Sequence, residues 1–279
     1  MVPFKSPGPM RAAMLIWPRC VSGTMRERTK SIGWFTTARG PGSLNLFRTL
    51  LEWVHNGDIE AKVSFVFINR DVKGNTYRQR LIDMAVEEEI PVIIFPSDSF
   101  RPDLKRKDLD GWRDAYGEGL RKCIADHPMD FGVLAGYMLI IDRITCRRYD
   151  IINLHPALPD TYTGTWEEIV GKVVENGDPC YGATVHICSP ELDRGAIVAY
   201  DSFPTEPILN ESIPAEEKAR RVRAEELRRE APLLMTSIKM LVDEQVSIRC
   251  GKVYDRDGAE VEGCLDLSDR VSLALKRER

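Results

Sequence analysis

Two short segments hold the residues whose types and spacing could do chemistry. In the first, Asn153-Leu154-His155-Pro156, an amide and an imidazole stand two apart at the end of the apolar run Ile151–Leu154. Alternation along a strand puts residues i and i+2 on the same side. An amide N–H there can donate to a carbonyl oxygen that is gaining negative charge. An imidazole can take or give a proton near neutral pH. In the second segment, Gly182-Ala183-Thr184-Val185-His186 leads to Leu192-Asp193-Arg194-Gly195. A carboxylate at Asp193 can set a histidine tautomer, hold a water or accept a proton. Oxyanion donor, proton carrier and carboxylate together make an acyl-transfer site. Each residue alone also fits a plainer account: a histidine satisfied by nearby backbone, or an Asp-x-Gly turn with no chemistry.

A third segment, Ala38-Arg39-Gly40-Pro41-Gly42-Ser43, is a glycine-rich turn between a strand pattern and a helix pattern. Backbone N–H groups at Gly40, Gly42 and Ser43 suit a phosphate or another anion. The pattern is neither G-x-G-x-x-G nor a Walker A. A tight turn that needs glycine for its backbone angles is the alternative.

These segments need a frame that brings strand ends together. Ile32–Thr37, Ala61–Ile68, Pro91–Phe95, Phe131–Ala135 and Ile151–Leu154 read as strands. Helical patterns alternate with them: Leu44–Val54, Tyr77–Glu89 and Leu109–His127. That alternation implies βαβ units and a doubly wound, mostly parallel α/β sheet. Beyond residue 160, Trp166–Asn176 reads as a helix, and Ala183–Cys188 and Ala196–Ser202 as strands. Pro214–Val242 is a long Glu/Arg-rich helical stretch that Pro232 should kink or split. Val246–Arg249 and Val253–Asp255 resemble a hairpin, and the last 15 or so residues read as polar without pattern. The expected organisation is an extension over 1–30, a main domain over 31–207, and a C-terminal helix and hairpin over 208–279 packing on it.

Composition narrows the class. Basic and acidic residues number 39 and 43, for a formal charge of −4, which argues against a non-specific nucleic-acid binder. No apolar run approaches the roughly 18 residues of a membrane helix. The patch Ala12–Trp17 has no convincing cleavage site after it, and Met25 is a candidate initiator. Seven cysteines, without a CxxC pair, fit a reduced, cytoplasmic compartment. No metal site is expected.

Leu134-Ala135-Gly136-Tyr137-Met138, then Asn153–Pro159, then Glu175-Asn176-Gly177-Asp178, then Gly182–Gly195 resemble, in order and spacing, the folate-dependent formyltransferases. The likeness is strongest to the branch that acts on phosphoribosylglycinamide, and extends more loosely over residues 31–255. It implies a Rossmann-like fold and formyl transfer from 10-formyltetrahydrofolate to a small amine that can carry a phosphate. Asn153, His155 and Asp193 would be the catalytic residues. Leu134, Ala135, Gly136, Tyr137, Met138 and Leu139 would form the folate slot, with His186 supporting. Gly40, Gly42, Ser43, Asn45, Arg39 and Glu226 would meet the acceptor. Departures at Arg39 and Pro41, at Asn69–Asn75 and at Leu158–Gly164 leave other amines open, amino sugars and sugar nucleotides among them. Hydrolysis of the folate donor is a further alternative. That branch has a regulatory domain in front, for which 30 proline-rich residues are too few. A ligand-binding homologue without catalysis is a reading of a different class. Assembly stays open between monomer and homodimer.

Overall fold

The computed structural model describes residues 28–191 and 193–277. The patch Ala12–Trp17 and Met25 lie outside the described residues. The chain alternates strands and helices through its first half: β1 (Lys30–Thr36), α1 (Pro41–His55), β2 (Ala61–Ile68), α2 (Thr76–Glu87) and β3 (Val92–Ile94). Then follow α3 (Pro102–Lys107), α4 (Leu109–Cys123), β4 (Phe131–Leu134), α5 (Arg143–Arg148), β5 (Ile151–His155) and α6 (Trp166–Asn176). The second half holds β6 (Cys180–Ile187), β7 (Ile197–Pro204), α7 (Glu206–Leu209), α8 (Ala215–Val242), β8 (Val246–Arg249), β9 (Lys252–Asp255), β10 (Leu265–Asp266) and α9 (Ser268–Arg277).

Strand order in the large sheet is β10-β7-β6-β5-β4-β1-β2-β3. Only β6 runs against its neighbours, so the sheet is mostly parallel. Alternation along the strands feeds two faces. Ile32, Trp34, Val66 and Val133 pack with Phe47 and Leu50 of α1, Leu81 of α2, and Leu233, Leu234 and Ile238 of α8. Phe35, Phe65, Phe67 and Leu134 pack on the other face with Leu120 of α4 and Ile141 before α5. Strands buried on both faces read as continuous apolar runs, which is why they were legible.

The order in which strands are added reverses between β1 and β4: β2 and β3 lie outward on one side, β5 and β6 on the other. Open α/β sheets bind ligands at such a switch, beyond the carboxyl ends of the strands. Here those ends deliver the glycine turn after Thr36, the loop after Leu134 and the loop after His155 to one edge.

Two expectations need correction. Pro232 does not split the long helix; α8 runs unbroken through it. Arg229 to Met235 are all buried, and their packing holds the helix where Pro removes one N–H bond. The C-terminal residues are not featureless. β10 adds to the sheet beside β7, with Leu265 opposite Ala199, and α9 buries Val271 completely. Among the described residues no helix is long and apolar enough to cross a membrane.

Candidate active site

β5 and β6 carry the first part of the site. They pair antiparallel with Asn153 opposite His186 and His155 opposite Thr184. Asn153 and His155 alternate with Leu154 and so share a face. His186 reaches it from the neighbouring strand: Asn153 Nδ2 lies 3.0 Å from His186 Nε2. His186 Nδ1 is 3.0 Å from the Ile187 carbonyl. That contact puts the proton on Nδ1 and leaves Nε2 to accept from the Asn153 amide.

His155 is fixed by a different backbone group. Its Nε2 donates to the Tyr162 carbonyl at 3.0 Å. Nδ1 then faces Asp193, 3.4 Å from Oδ2. The other carboxylate oxygen lies 3.6 Å from His186 Nε2. The two rings stand edge to face, their centroids 6.1 Å apart. Tyr162 is itself anchored. Its hydroxyl donates to Asp178 at 2.6 Å and accepts from Asn176 Nδ2 at 2.8 Å. The Glu175–Asp178 segment thereby holds the loop whose carbonyl sets the His155 tautomer.

The turn carrying Asp193 is shaped by backbone demands. Asp193 has φ +53°, a left-handed conformation that Asp tolerates better than most residues. Gly195 is required by contact: a Cβ there would sit 1.6 Å from the Ile187 carbonyl oxygen. Electrostatics follow from burial. The side chains of His155 and Asp193 are each 9% exposed. Burial pushes the His155 pKa down, and the nearby carboxylate only partly opposes it, so the free imidazole is neutral at pH 7. Burial also pushes Asp193 up. The two nearby imidazoles and the Gly164 N–H outweigh it, and Asp193 stays below the usual carboxylate range. His155, His186 and Asp193 line a cavity of about 90 Å³ with Tyr162 and Thr184. That is room for a formyl group and a water, at roughly 30 Å³ per water. The larger clefts, about 380 and 660 Å³, lie away from these residues, along α6–α8 and along α1–α8.

The glycine turn and the loop after β4 touch. Thr37 N–H donates to the Gly136 carbonyl at 3.0 Å, and the Met138 N–H donates to Thr37 Oγ1 at 2.9 Å. Gly136 has φ +65°, and a Cβ on it would press to 3.3 Å from Ser43 Cβ. Gly40 is the N-cap of α1 and offers no side-chain cap; Ser43 Oγ donates to its carbonyl at 3.1 Å. The first turn of α1 carries no acidic residue, so its N–H end stays favourable to an anion. Arg39 is exposed, and its carbonyl accepts from Asn75 Nδ2 at 3.0 Å. In the loop after β4, Leu134, Ala135 and Tyr137 bury their side chains beneath it. What they present upward is backbone. Met138, about half exposed, and the half-buried Leu139 supply the side chains at the surface.

Glu226 departs from expectation. It is fully buried against Arg223 and Glu230, not at the glycine turn. The α8 residue that meets the turn is its neighbour Leu227, whose Cδ2 lies 3.8 Å from where a Gly42 Cβ would be. One position along a helix rotates a side chain by about 100°. Asn45 lines the α1–α8 cleft beside Leu227. Two residues were missed. Buried Arg78 donates through Nε and a terminal nitrogen to the Thr37 carbonyl, both at 3.1 Å, and places a cation behind the glycine turn. Tyr162 acts through its carbonyl. Both contacts are made to backbone carbonyls, which no side-chain pattern announces.

Comparisons with known proteins bear on the family and the fold. Residues 40–228 match the family described as Formyl transferase. A phosphoribosylglycinamide formyltransferase of Haemophilus influenzae is 33% identical over 57% of this chain and 68% of its own length. The solved structure of a phosphoribosylglycinamide formyltransferase from Coxiella burnetii superposes with a TM-score of 0.64 at 19% identity, covering 85% of this chain and 100% of that one. A formyltetrahydrofolate deformylase from Pseudomonas syringae gives 0.63 at 20% identity, covering 82% and 66%. At such identities the two structures speak to the fold.

Proposed function

The chain belongs to the formyl transferase family, and from that premise we propose that it transfers a formyl group from 10-formyltetrahydrofolate to the amine of phosphoribosylglycinamide. The observation that carries the reading is the pairing of a bare His155 Nδ1 with the Asp193 carboxylate, 3.4 Å apart on a small cavity beside the Asn153 amide.

The folate donor supplies an electrophilic formyl carbon next to a nitrogen that can leave. The backbone of Leu134–Leu139, with Met138 and Leu139 over it, offers an edge-on slot of backbone donors and acceptors for a flat heterocycle. The open backbone at Gly40–Ser43, with Arg78 behind it and the exposed Arg39 next in the chain, offers the acceptor phosphate a cationic seat. The two seats adjoin through Thr37 and Gly136. An amine held between them meets the formyl carbon at the cavity.

As the amine nitrogen bonds to that carbon, negative charge gathers on the carbonyl oxygen. The Asn153 amide can turn one N–H toward it. The amine proton goes to the pair formed by His155 Nδ1 and Asp193. His155 is already neutral, so its Nδ1 lone pair is free, and Asp193 stabilises the imidazolium that results. The same proton is returned to the departing nitrogen as its bond to the formyl carbon breaks. Tyr162 keeps Nε2 engaged throughout.

The test is release of tetrahydrofolate from 10-formyltetrahydrofolate with and without phosphoribosylglycinamide. Release that depends on this amine supports the reading. Release without any amine contradicts it in favour of hydrolysis. Release with an amino sugar but not with phosphoribosylglycinamide contradicts the acceptor assignment.

A further inference from the structure

Two thiols face each other on the side of the site away from the acceptor turn. Cys146 lies in α5, and Cys188 follows β6, two residues beyond His186. Their Sγ atoms are 3.9 Å apart, and both side chains are half-buried. Neither takes part in the chemistry above, yet each is attached to a part of the site. Cys146 Sγ lies 3.8 Å from the Ile141 carbonyl, within the loop that leaves β4 at Leu134. The Cys188 N–H donates to the Ile151 carbonyl at 2.7 Å, and the chain then enters the turn that holds Asp193.

We propose that Cys146 and Cys188 are an oxidation site, a dithiol that hydrogen peroxide closes to an intramolecular disulfide, and that closure displaces the loop at 134–142 and the turn around Asp193. The chemistry balances in two steps. The Cys146 thiolate attacks one peroxide oxygen, the O–O bond breaks, and with one proton taken up a sulfenic acid and a water result. Cys188 sulfur then attacks the sulfenic sulfur. The S–S bond forms, the S–O bond breaks, and the Cys188 proton leaves with the hydroxyl as a second water. Two thiols are oxidised and one peroxide is reduced to two waters.

The roles follow from the contact. With the Cys146 S–H directed to the Ile141 carbonyl, Cys188 is left to donate to Cys146 sulfur, and that bond lowers the Cys146 pKa and favours its thiolate. The same bond and burial push Cys188 well up, so it stays protonated until it resolves the sulfenic acid. Closure brings the sulfurs from 3.9 Å to about 2.05 Å. The movement does not stay local. Asp142, the last residue of the loop, caps the N-terminus of α5 through the Ile144 and Thr145 N–H groups, so α5 and the loop before it move as one piece. A displacement of about 1 Å at a reacting centre can cost 10²-fold. On the formyl-transfer reading, turnover therefore falls at least tenfold on oxidation and returns with dithiothreitol.

The experiment treats the full chain with hydrogen peroxide and maps non-reduced peptides by mass. The expected result is a Cys146–Cys188 linkage, with altered hydrogen exchange over 134–148 and around Asp193. Cys188→Ser should block the linkage and leave a dimedone-reactive sulfenic acid at Cys146. Should that variant fold poorly, Cys146→Ser serves instead, and should give neither product. Peroxide that leaves both thiols intact, or links other cysteines in their place, would overturn the proposal. So would a linked protein whose exchange matches the reduced one. These readouts need no turnover: a protein that links as expected but releases no folate in either state would refute the formyl-transfer reading and not this one.

Discussion

Two buried sets of charged groups lie on opposite sides of β6, and they differ in what they face. At the strand ends, His155, His186 and Asp193 meet at 3.4 and 3.6 Å, looser than made hydrogen bonds, and they open on a cavity. Along α8, Arg229 grips Asp201 with two bonds of 2.7 Å, and Arg223 reaches both Glu226 and Glu230. Glu226 has its pKa pushed well up by burial and by Glu230, a perturbation as plain as those in the strand-end cluster. A perturbed pKa alone would therefore not choose between the regions. An adjoining space for substrate is the better sign of chemistry: Glu226 also leaves one oxygen without a partner, but it lines none of the three cavities, and the α8 pairs hold the helix to the sheet. Even there the gain is limited. Burial raises the Asp201 pKa beside its arginine, so desolvation takes back part of the attraction.

The sharpest way to break this comparison is to remove function from one region and stability from the other. Asp193→Asn removes the charge that supports protonated His155 and keeps the shape. Turnover should drop by about 10³-fold or more, with folate binding and the unfolding midpoint nearly unchanged. Steady-state rates beside equilibrium folate binding would show it, and a variant that keeps its rate would undo the assignment. Arg229→Met should do the reverse. It leaves Asp201 buried without a partner, at about 3–5 kcal/mol of stability. Urea unfolding measures that loss, and the rate per folded molecule should stay close to wild type.

A smaller effect separates the regions by pH. His155 acts as a neutral base and its pKa is held below the ordinary 6.5 by burial. The acid limb of kcat/KM should fall below that value. A limb at or above 6.5 would mean another group is the base. The stability contribution has a matching sign. A histidine whose folded pKa is lowered costs nothing above the unfolded value, and stability falls as pH drops below it. The smallest change is expected from Glu226→Gln. Glu226 is raised, so its stabilising share is present below about pH 4.5 and is lost as pH rises through the folded value. The amide should flatten that slope and stay within about 1 kcal/mol of wild type at pH 8, read by unfolding at pH 5 and pH 8.

Much of this was legible in sequence because strands buried on both faces write apolar runs, and because Asn153 and His155 share a strand face by period 2. Asp193 announced itself through the Asp-x-Gly turn. What could not be read depends on partners distant along the chain. β10 is two residues long and writes no pattern, whereas Leu267, Val271 and Leu275, four apart, do mark the stripe that α9 and the residue before it lay on the core. Pro232 lost to packing. Glu226 and Leu227 differ by one position, and only the rotation of α8 decides which meets the turn. Arg78 and Tyr162 work on or through backbone carbonyls.

The most direct test of the central claim follows the formyl carbon itself. The donor is prepared with a ¹³C-labelled formyl group and incubated with phosphoribosylglycinamide and either wild type or Asn153→Ala. Product is analysed by mass. The site geometry predicts label on the amine with wild type, and a rate lower by about 10²–10³ with the variant, the usual cost of losing one oxyanion donor. Label recovered as formate, or transfer undiminished by the variant, would contradict it.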